Sequence, residues 1–387
     1  MIRDTATGFL QKTMREYAAR TGLDPASDRP RRYLWTDAYA VCTYLDLFRL
    51  TGDAAYRALA LALVGQVHHT LGRHRDDDPR AGWISDLPAA EGEEHPTAGG
   101  LRIGKKMNER AAGEPFDERL EWDRDGQYYH YLTKWMHALS RVAAVTGDPV
   151  YLRWAMELAR VAHEAFTYAA GGGKRMYWKM SIDLSRPLVH AMGQHDPLDG
   201  LVTYSELQAA VKNLPGTAAR IDLAPGIADM AGICRKVHLV TDDPLGIGGL
   251  LFDATRIARL MIEGEWTYAE LLESVLGAAG PGLVSFAQRG VLRHPAAYRL
   301  AFRELGLAVG LAGVPMMLEA FEEHPDAFAP SLQRQAQAIA EYLPLGEAIR
   351  EFWLDEKNRQ AATWTEHREI NTVMLATSLA PGEFLMV

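Results

Sequence analysis

Of the 387 residues, 48% are hydrophobic and 24% charged, the make-up of a globular chain with enough apolar surface for a substantial core. A formal charge of −9 excludes the broad cationic face that sequence-independent nucleic-acid binding requires. The two cysteines, Cys42 and Cys234, are far apart, which makes no disulfide framework and points to a reducing compartment.

The first stretch, MIRDTATGFLQKTMREY, carries Arg3, Asp4 and Lys12 and no apolar h-region, so no signal peptide is expected. No run of about 18 apolar residues occurs, so no membrane span is expected either, and the expected location is cytoplasmic. Residues 1–20 are expected to form a helix. Further on, two segments match at equal offsets: TGDAAYRALALALVGQVHHTLG from Thr51 and TGDPVYLRWAMELARVAHEAFT from Thr146. They share Thr51/Thr146, Gly52/Gly147, Asp53/Asp148, Tyr56/Tyr151, Ala60/Ala155, Leu63/Leu158 and His68/His163. In each, glycine suits the left-handed residue past a helix end and Asp caps the next helix, so each unit reads as helix, tight turn, antiparallel helix.

Related helical runs follow at 201–211, 247–262, 297–318 and 372–379. Return helices are expected at 228–236, 268–276 and 332–353, the last broken at Pro344, which makes about six hairpins in one domain spanning 1–387. Asp242 and Asp243 ahead of Pro244 read as a cap with proline at the helix start. Two long loops interrupt the pattern, 73–122 and 169–194, and loops of that length often carry function. Within them LRIGKKMN (101–108) and KRMYWKMSIDL (174–184) alternate enough to be short strands or hairpin arms.

Six helical hairpins with T-G-D-x-x-Y turns resemble the six-hairpin glycosidase superfamily. The resemblance covers roughly residues 30–380 and implies an all-α (α/α)6 toroid with short β-like loop excursions. The segment GWISDL…HPTAGGLRIGKKMNER…FDERLEWDRDGQYYHYLTKWMHAL also looks like bacterial relatives. In such a toroid the inner helices start at one mouth, where helix N-termini favour anionic or hydroxyl-rich ligands.

The residues at those starts mix carboxylates, imidazoles and tryptophans, as sugar binding requires: Trp35 and Asp37, Trp122 and Asp125, His195, Asp196 and Asp199, His294, and Trp364, Glu366 and His367. Asp125 has two readings, helix cap or arginine partner on one side and ligand contact on the other. GQHDPLDGLVTY sets His195, Asp196 and Asp199 within five residues, more titratable groups than a turn and a cap account for. Tyr128 lines up with Tyr33 in the repeat, which gives it a scaffold reading, and is also expected at the pocket wall. Arg102, Lys105 and Lys106 on one excursion, and Trp178 and Lys179 on the other, would make a cationic, aromatic rim suited to an acidic ligand.

The expected activity is that of a glycoside hydrolase acting on an oligosaccharide, an acidic one among the options. Asp125 and Asp196 or Asp199 would serve as acid and base. The alternatives are a sugar epimerase using His195, His294 and His367, and a sugar-binding toroid without catalysis. No cofactor and no metal are expected, because Cys234 and His238 lack a second ligand pair. The expected partner is a small-molecule or oligosaccharide substrate, and composition leaves oligomeric state open.

Overall fold

A computed structural model describes residues 2–213, 221–264, 266 and 268–387, with side chains from residue 7 onward. Helices follow one another as pairs: α1 (Ile2–Thr21), α2 (Leu34–Thr51) and α3 (Ala54–Leu71), then two short helices, α4 (Ala89–Glu94) and α5 (Glu118–Asp123). After them come α6 (Tyr129–Thr146) and α7 (Pro149–Phe166), α8 (Asp196–Asn213) and α9 (Ala224–Cys234), and α10 (Pro244–Ile262) and α11 (Ala269–Arg289). The last are α12 (Ala301–Glu323), α13 (Pro330–Ala340), α14 (Leu343–Leu354), the short α15 (Ala362–Thr365), α16 (Arg368–Leu379) and α17 (Gly382–Leu385).

The repeat turns work as their sequence requires. Gly147 sits at φ +71°, where a side chain would be strained, and its N–H closes α6 on Ala143 O. Asp53 and Asp148 accept N–H bonds from Ala55 (2.9 Å) and Val150 (3.0 Å) at the next helix starts. Asp243 caps α10 through the Gly246 N–H, with Pro244 in the first turn. The matched histidines do matched packing. His68 meets Trp135 edge-on at 5.7 Å and His163 meets Tyr204 at 5.9 Å, each a ring on the first helix of the following pair. Burial pushes His68 down to about 3, so it stays neutral and accepts the Trp135 indole N–H at 3.1 Å.

The described residues form two compact units. The first comprises Ala18–Phe48 and Asp53–Val237. In it α6 packs along α7 and α8, and α8 along α9. Five short strands belong here: β1 (Gln127–Tyr128), β2 (Thr167–Ala170), β3 (Gly173–Met176), β4 (Lys179–Met180) and β5 (Pro187–Val189). They make an antiparallel sheet in the order β1-β4-β5 and a separate β2-β3 hairpin. The expected arm at 174–184 is thus split between two sheets. The stretch at 101–108 is extended but is not a strand: Arg102 N–H bonds Leu71 O, Ile103 N–H bonds Gly126 O, and Ile103 O accepts from Leu34 N–H. It bridges three parts of the scaffold instead of pairing with one neighbour.

The second unit comprises the N-terminal residues through Tyr17, Arg49–Gly52 and His238–Val387. Its central contact is α10 against α12. A Cβ on Gly248 would lie 2.2 Å from Gly306 O, and one on Gly310 would lie 2.3 Å from Gly248 O, so the two helices meet backbone to backbone. α12 is long and apolar enough to cross a membrane by length and composition, yet 72% of its apolar window is buried in this core. α11 runs well past the expected 268–276, through Pro281, and Gly282 lets it press against Thr241 O.

Candidate functional site

In the first unit, the start of α6 shows how one short stretch distributes four aromatic rings. Gly126, at φ +142°, lies where a Cβ would be 2.7 Å from Met180 O, so only glycine lets β1 approach β4. Beyond it, Tyr128 and Tyr129 are buried, while His130 and Tyr131 are half-buried. Tyr129 donates to the Tyr204 hydroxyl at 2.8 Å, over Gly200 of α8. Tyr128 lies beside His130 (5.4 Å between centroids) and Trp178 (5.0 Å), and Trp178 meets the exposed Trp122 at 5.1 Å. On the other side Tyr131 packs against Tyr128 at 5.2 Å and shares a 2.7 Å hydrogen bond with the Tyr33 hydroxyl. The result is a continuous, partly exposed aromatic wall from Trp122 to Tyr33.

Behind this wall α6 and α8 present matching polar faces. Steps of three and four residues put His130, Thr133, Lys134 and His137 on one side of α6, and Asp196, Asp199 and Glu206 on the facing side of α8. His130 Nδ1 lies 3.6 Å from Asp196 Oδ1. Thr133 donates to Asp199 Oδ2, and Lys134 Nζ donates to Asp199 Oδ1 at 2.6 Å. His137 Nδ1 is 3.0 Å from both Glu206 oxygens in a fully buried pair.

The outermost rung differs from the two beneath it. Its separation exceeds a hydrogen bond, and the buried His130 Nδ1 and Asp196 Oδ2 have no hydrogen-bond partner among the described residues. Burial, reinforced by the charge of Asp199, pushes the Asp196 carboxyl up to about 7, against the opposing effect of Lys134. Burial also pushes the His130 imidazole down to about 4. A carboxyl group that is part-protonated near neutral pH and a neutral imidazole therefore face each other beside the rings, and the carboxyl can give or take a proton there. Among the described residues, no group of three or more His, Cys, Asp or Glu side chains is placed to hold a metal ion.

The residues singled out from sequence divide clearly. Asp196, Asp199, Trp122, Tyr128 and Trp178 come together here. His195 is half-buried just ahead of α8, and its carbonyl accepts the Asp199 N–H at 3.0 Å. Asp125 resolves to the arginine-partner reading. Its Oδ2 accepts from Arg102 (2.9 Å) and Arg75 (3.2 Å), and its Oδ1 from the Gly104 (2.9 Å) and Gly126 (3.1 Å) N–H groups, so no lone pair faces a ligand. Arg102 and Lys179 are not rim cations. Arg102 also binds Arg73 O and Thr70 O, and the fully buried Lys179 Nζ is held by Glu121 Oε1, Glu121 O and Arg124 O. Asp37 is tied to Arg32 and the Tyr33 N–H, and Trp35 is buried against Tyr39. Lys105 is half-buried over the Tyr33 ring, and Lys106 is exposed.

The other candidates lie in the second unit. His294 is exposed at a turn, and Glu366 and His367 are exposed just before α16. Trp364 is buried against Trp353, whose indole N–H bonds Glu304 beside Arg299, so it serves the core. His130, Lys134, Tyr131 and Tyr33, which stand beside Asp196, Asp199 and Tyr128 in the first unit, are not among the sequence candidates. The helical spacing of His130, Lys134 and His137 was the available signal, and it gains meaning only once α8 is known to face it.

No protein-family model and no curated protein matches the sequence. Solved structures do. The GH76 α-mannanase of Bacteroides thetaiotaomicron is 10% identical over 97% of each chain, with a TM-score of 0.51. A sugar epimerase from a ruminal bacterium is 13% identical over 91% of this chain and 88% of that one, with a TM-score of 0.47. The cellobiose 2-epimerase of Bacillus thermoamylovorans is 10% identical over 88% and 87%, also with a TM-score of 0.47. At such identities the likeness is one of fold, and the mannanase is close enough to carry it. With its serial helical pairs, the chain has an all-α (α/α)6 toroid fold.

Proposed function

We propose that the chain is a carbohydrate-active enzyme, and specifically a glycoside hydrolase acting on an oligosaccharide, with Asp196 as its proton donor. The observation that carries this reading is the Asp196 carboxyl group, pushed up to about 7 by burial and by Asp199, facing His130 beside an aromatic wall. An acid that is still about half protonated at neutral pH can protonate a leaving glycosidic oxygen. The charge of Asp199, one helical turn away and held by Lys134 and Thr133, would oppose the positive charge that develops on the sugar ring. Rings from Tyr33 to Trp122 offer apolar faces on which sugar units can stack.

A second reading, a sugar epimerase, is favoured by His130 itself. Its imidazole is neutral and its Nδ1 is unpartnered, as suits a base that takes a proton from carbon next to a carbonyl, with Asp196 returning one. One experiment separates the readings: incubation with a set of oligosaccharides in deuterated water. Hydrolysis is expected to yield new reducing ends and no carbon-bound deuterium. Epimerisation would yield deuterium next to the carbonyl and no new ends. Neither signal across neutral and acidic glycans would leave a binding protein and overturn both.

Lys134 supplies a further check, because its charge holds the Asp196 value down. The acid must be protonated to act, so activity falls as pH rises through its pKa. Lys134→Met is expected to move that alkaline limb upward by roughly one pH unit in a kcat/KM profile. An unmoved limb would assign it to another group.

A further inference from the structure

The two loop excursions carry six cations, and the structure accounts for most of them. Arg102 and Lys179 are consumed by carboxylates and carbonyls, and Lys174 pairs with Asp229. Arg175 and Lys106 are exposed to solvent. Lys105 differs from all of these. Its side chain is half-buried, and its Nζ lies over the Tyr33 ring, 5.7 Å from the centroid. Its ammonium makes no hydrogen bond or ion pair with another described residue.

Its backbone is fixed on both sides. Gly104 N–H binds Asp125, and the carbonyls of Lys105 (2.6 Å) and Lys106 (2.8 Å) hold Arg75. Desolvation lowers the ammonium pKa, while Asp123 and Asp125 oppose that effect. Asp125 is already matched by two guanidinium groups, so it leaves the ammonium little compensation. A desolvated, unpaired cation on a fixed stretch of backbone is costly unless an anion completes it. The Tyr33 hydroxyl beneath it, pushed up to about 12 by burial, stays protonated and joins the Tyr131 hydroxyl in the wall that leads to His130.

We propose that Lys105, with the Tyr33–Tyr131 hydroxyl pair, forms a subsite for an anionic substituent of the sugar, a carboxylate or a phosphate. The inference rests on the carbohydrate reading and narrows its substrate class. The test is intrinsic tryptophan fluorescence, with Trp122 and Trp178 on the wall as reporters, during titration with glucose, glucuronate and glucose 6-phosphate. At least one anionic sugar is expected to bind about tenfold or more tightly than glucose, and the one that gains identifies the group. Lys105→Met should remove that preference without weakening glucose binding. Lys105→Arg should keep most of it, and Lys106→Met should leave it unchanged. If glucose binds and neither anion binds better, or if Lys105→Met keeps the preference, the subsite is overturned and the carbohydrate reading survives. If no sugar binds, charged or neutral, that reading falls and the subsite with it.

Discussion

Asp196→Asn is expected to cut turnover by about 10²–10⁴-fold while the protein stays folded, the range that loss of a general acid produces. Asparagine keeps the shape of the side chain above Gly193, whose Cα region the carboxylate covers closely, but carries no transferable proton. The wild-type kcat/KM should decline above about pH 7, where Asp196 loses its proton, and the residual activity of the variant should show no such limb. Stability should move the opposite way. The folded pKa lies above the ordinary carboxylate value, so the folded state binds the Asp196 proton more tightly than the unfolded chain does. That contribution is fully present below about pH 4 and is lost as pH rises to about 7. Above that, burying the carboxylate is a constant penalty of up to a few kcal/mol. The variant is spared it, so its stability advantage over wild type should grow between pH 4 and 7 in denaturant titrations. A variant with lower activity and lower stability at every pH would mark Asp196 as a scaffold residue.

The contrast between Asp196 and the better-advertised residues shows what a sequence can reveal. Local rules hold: Asp53, Asp148 and Asp243 cap, and the glycine after Thr146 turns the chain, because each acts within four residues of itself. The helical pairs follow from these signals, and so does the fold class. Ion-pair partners do not follow. Asp125 is neutralised by Arg102 and by Arg75, fifty positions away, and Lys179 by Glu121, fifty-eight away; nothing in the local pattern of either names its partner. Of the charged residues that looked like a rim, Arg102 and Lys179 are therefore structural cations. Conversely His130 looked like one ring among four, and only the facing helix shows it opposite Asp196. Pro281 and its neighbouring glycines signal a helix end, yet α11 continues through them, and Gly282 lets it pass close to Thr241 O.

Asp125 carries the second large expectation, and it concerns stability. Four donors converge on this carboxylate, two guanidinium groups and two backbone N–H groups, and it is fully buried. Through them it joins the extended 101–108 stretch and the Arg75 loop to the turn that opens β1 and α6. Removing one partner of a buried pair leaves the others uncompensated, so Asp125→Ala should cost about 3–5 kcal/mol. Asp125→Asn keeps acceptors for Gly104 and Gly126 but not the charge that Arg102 and Arg75 need, so it should cost less and still be clearly destabilising. A proton-exchanging Asp125 would behave in reverse, with the Asn variant keeping its stability and losing turnover. Chemical denaturation of both variants, with turnover normalised to the folded fraction, distinguishes the two. The expected result is a graded loss of stability, Ala beyond Asn, with turnover per folded molecule changed only a few-fold. A catalytic collapse in a stable Asn variant would move the proton donor from Asp196 to Asp125.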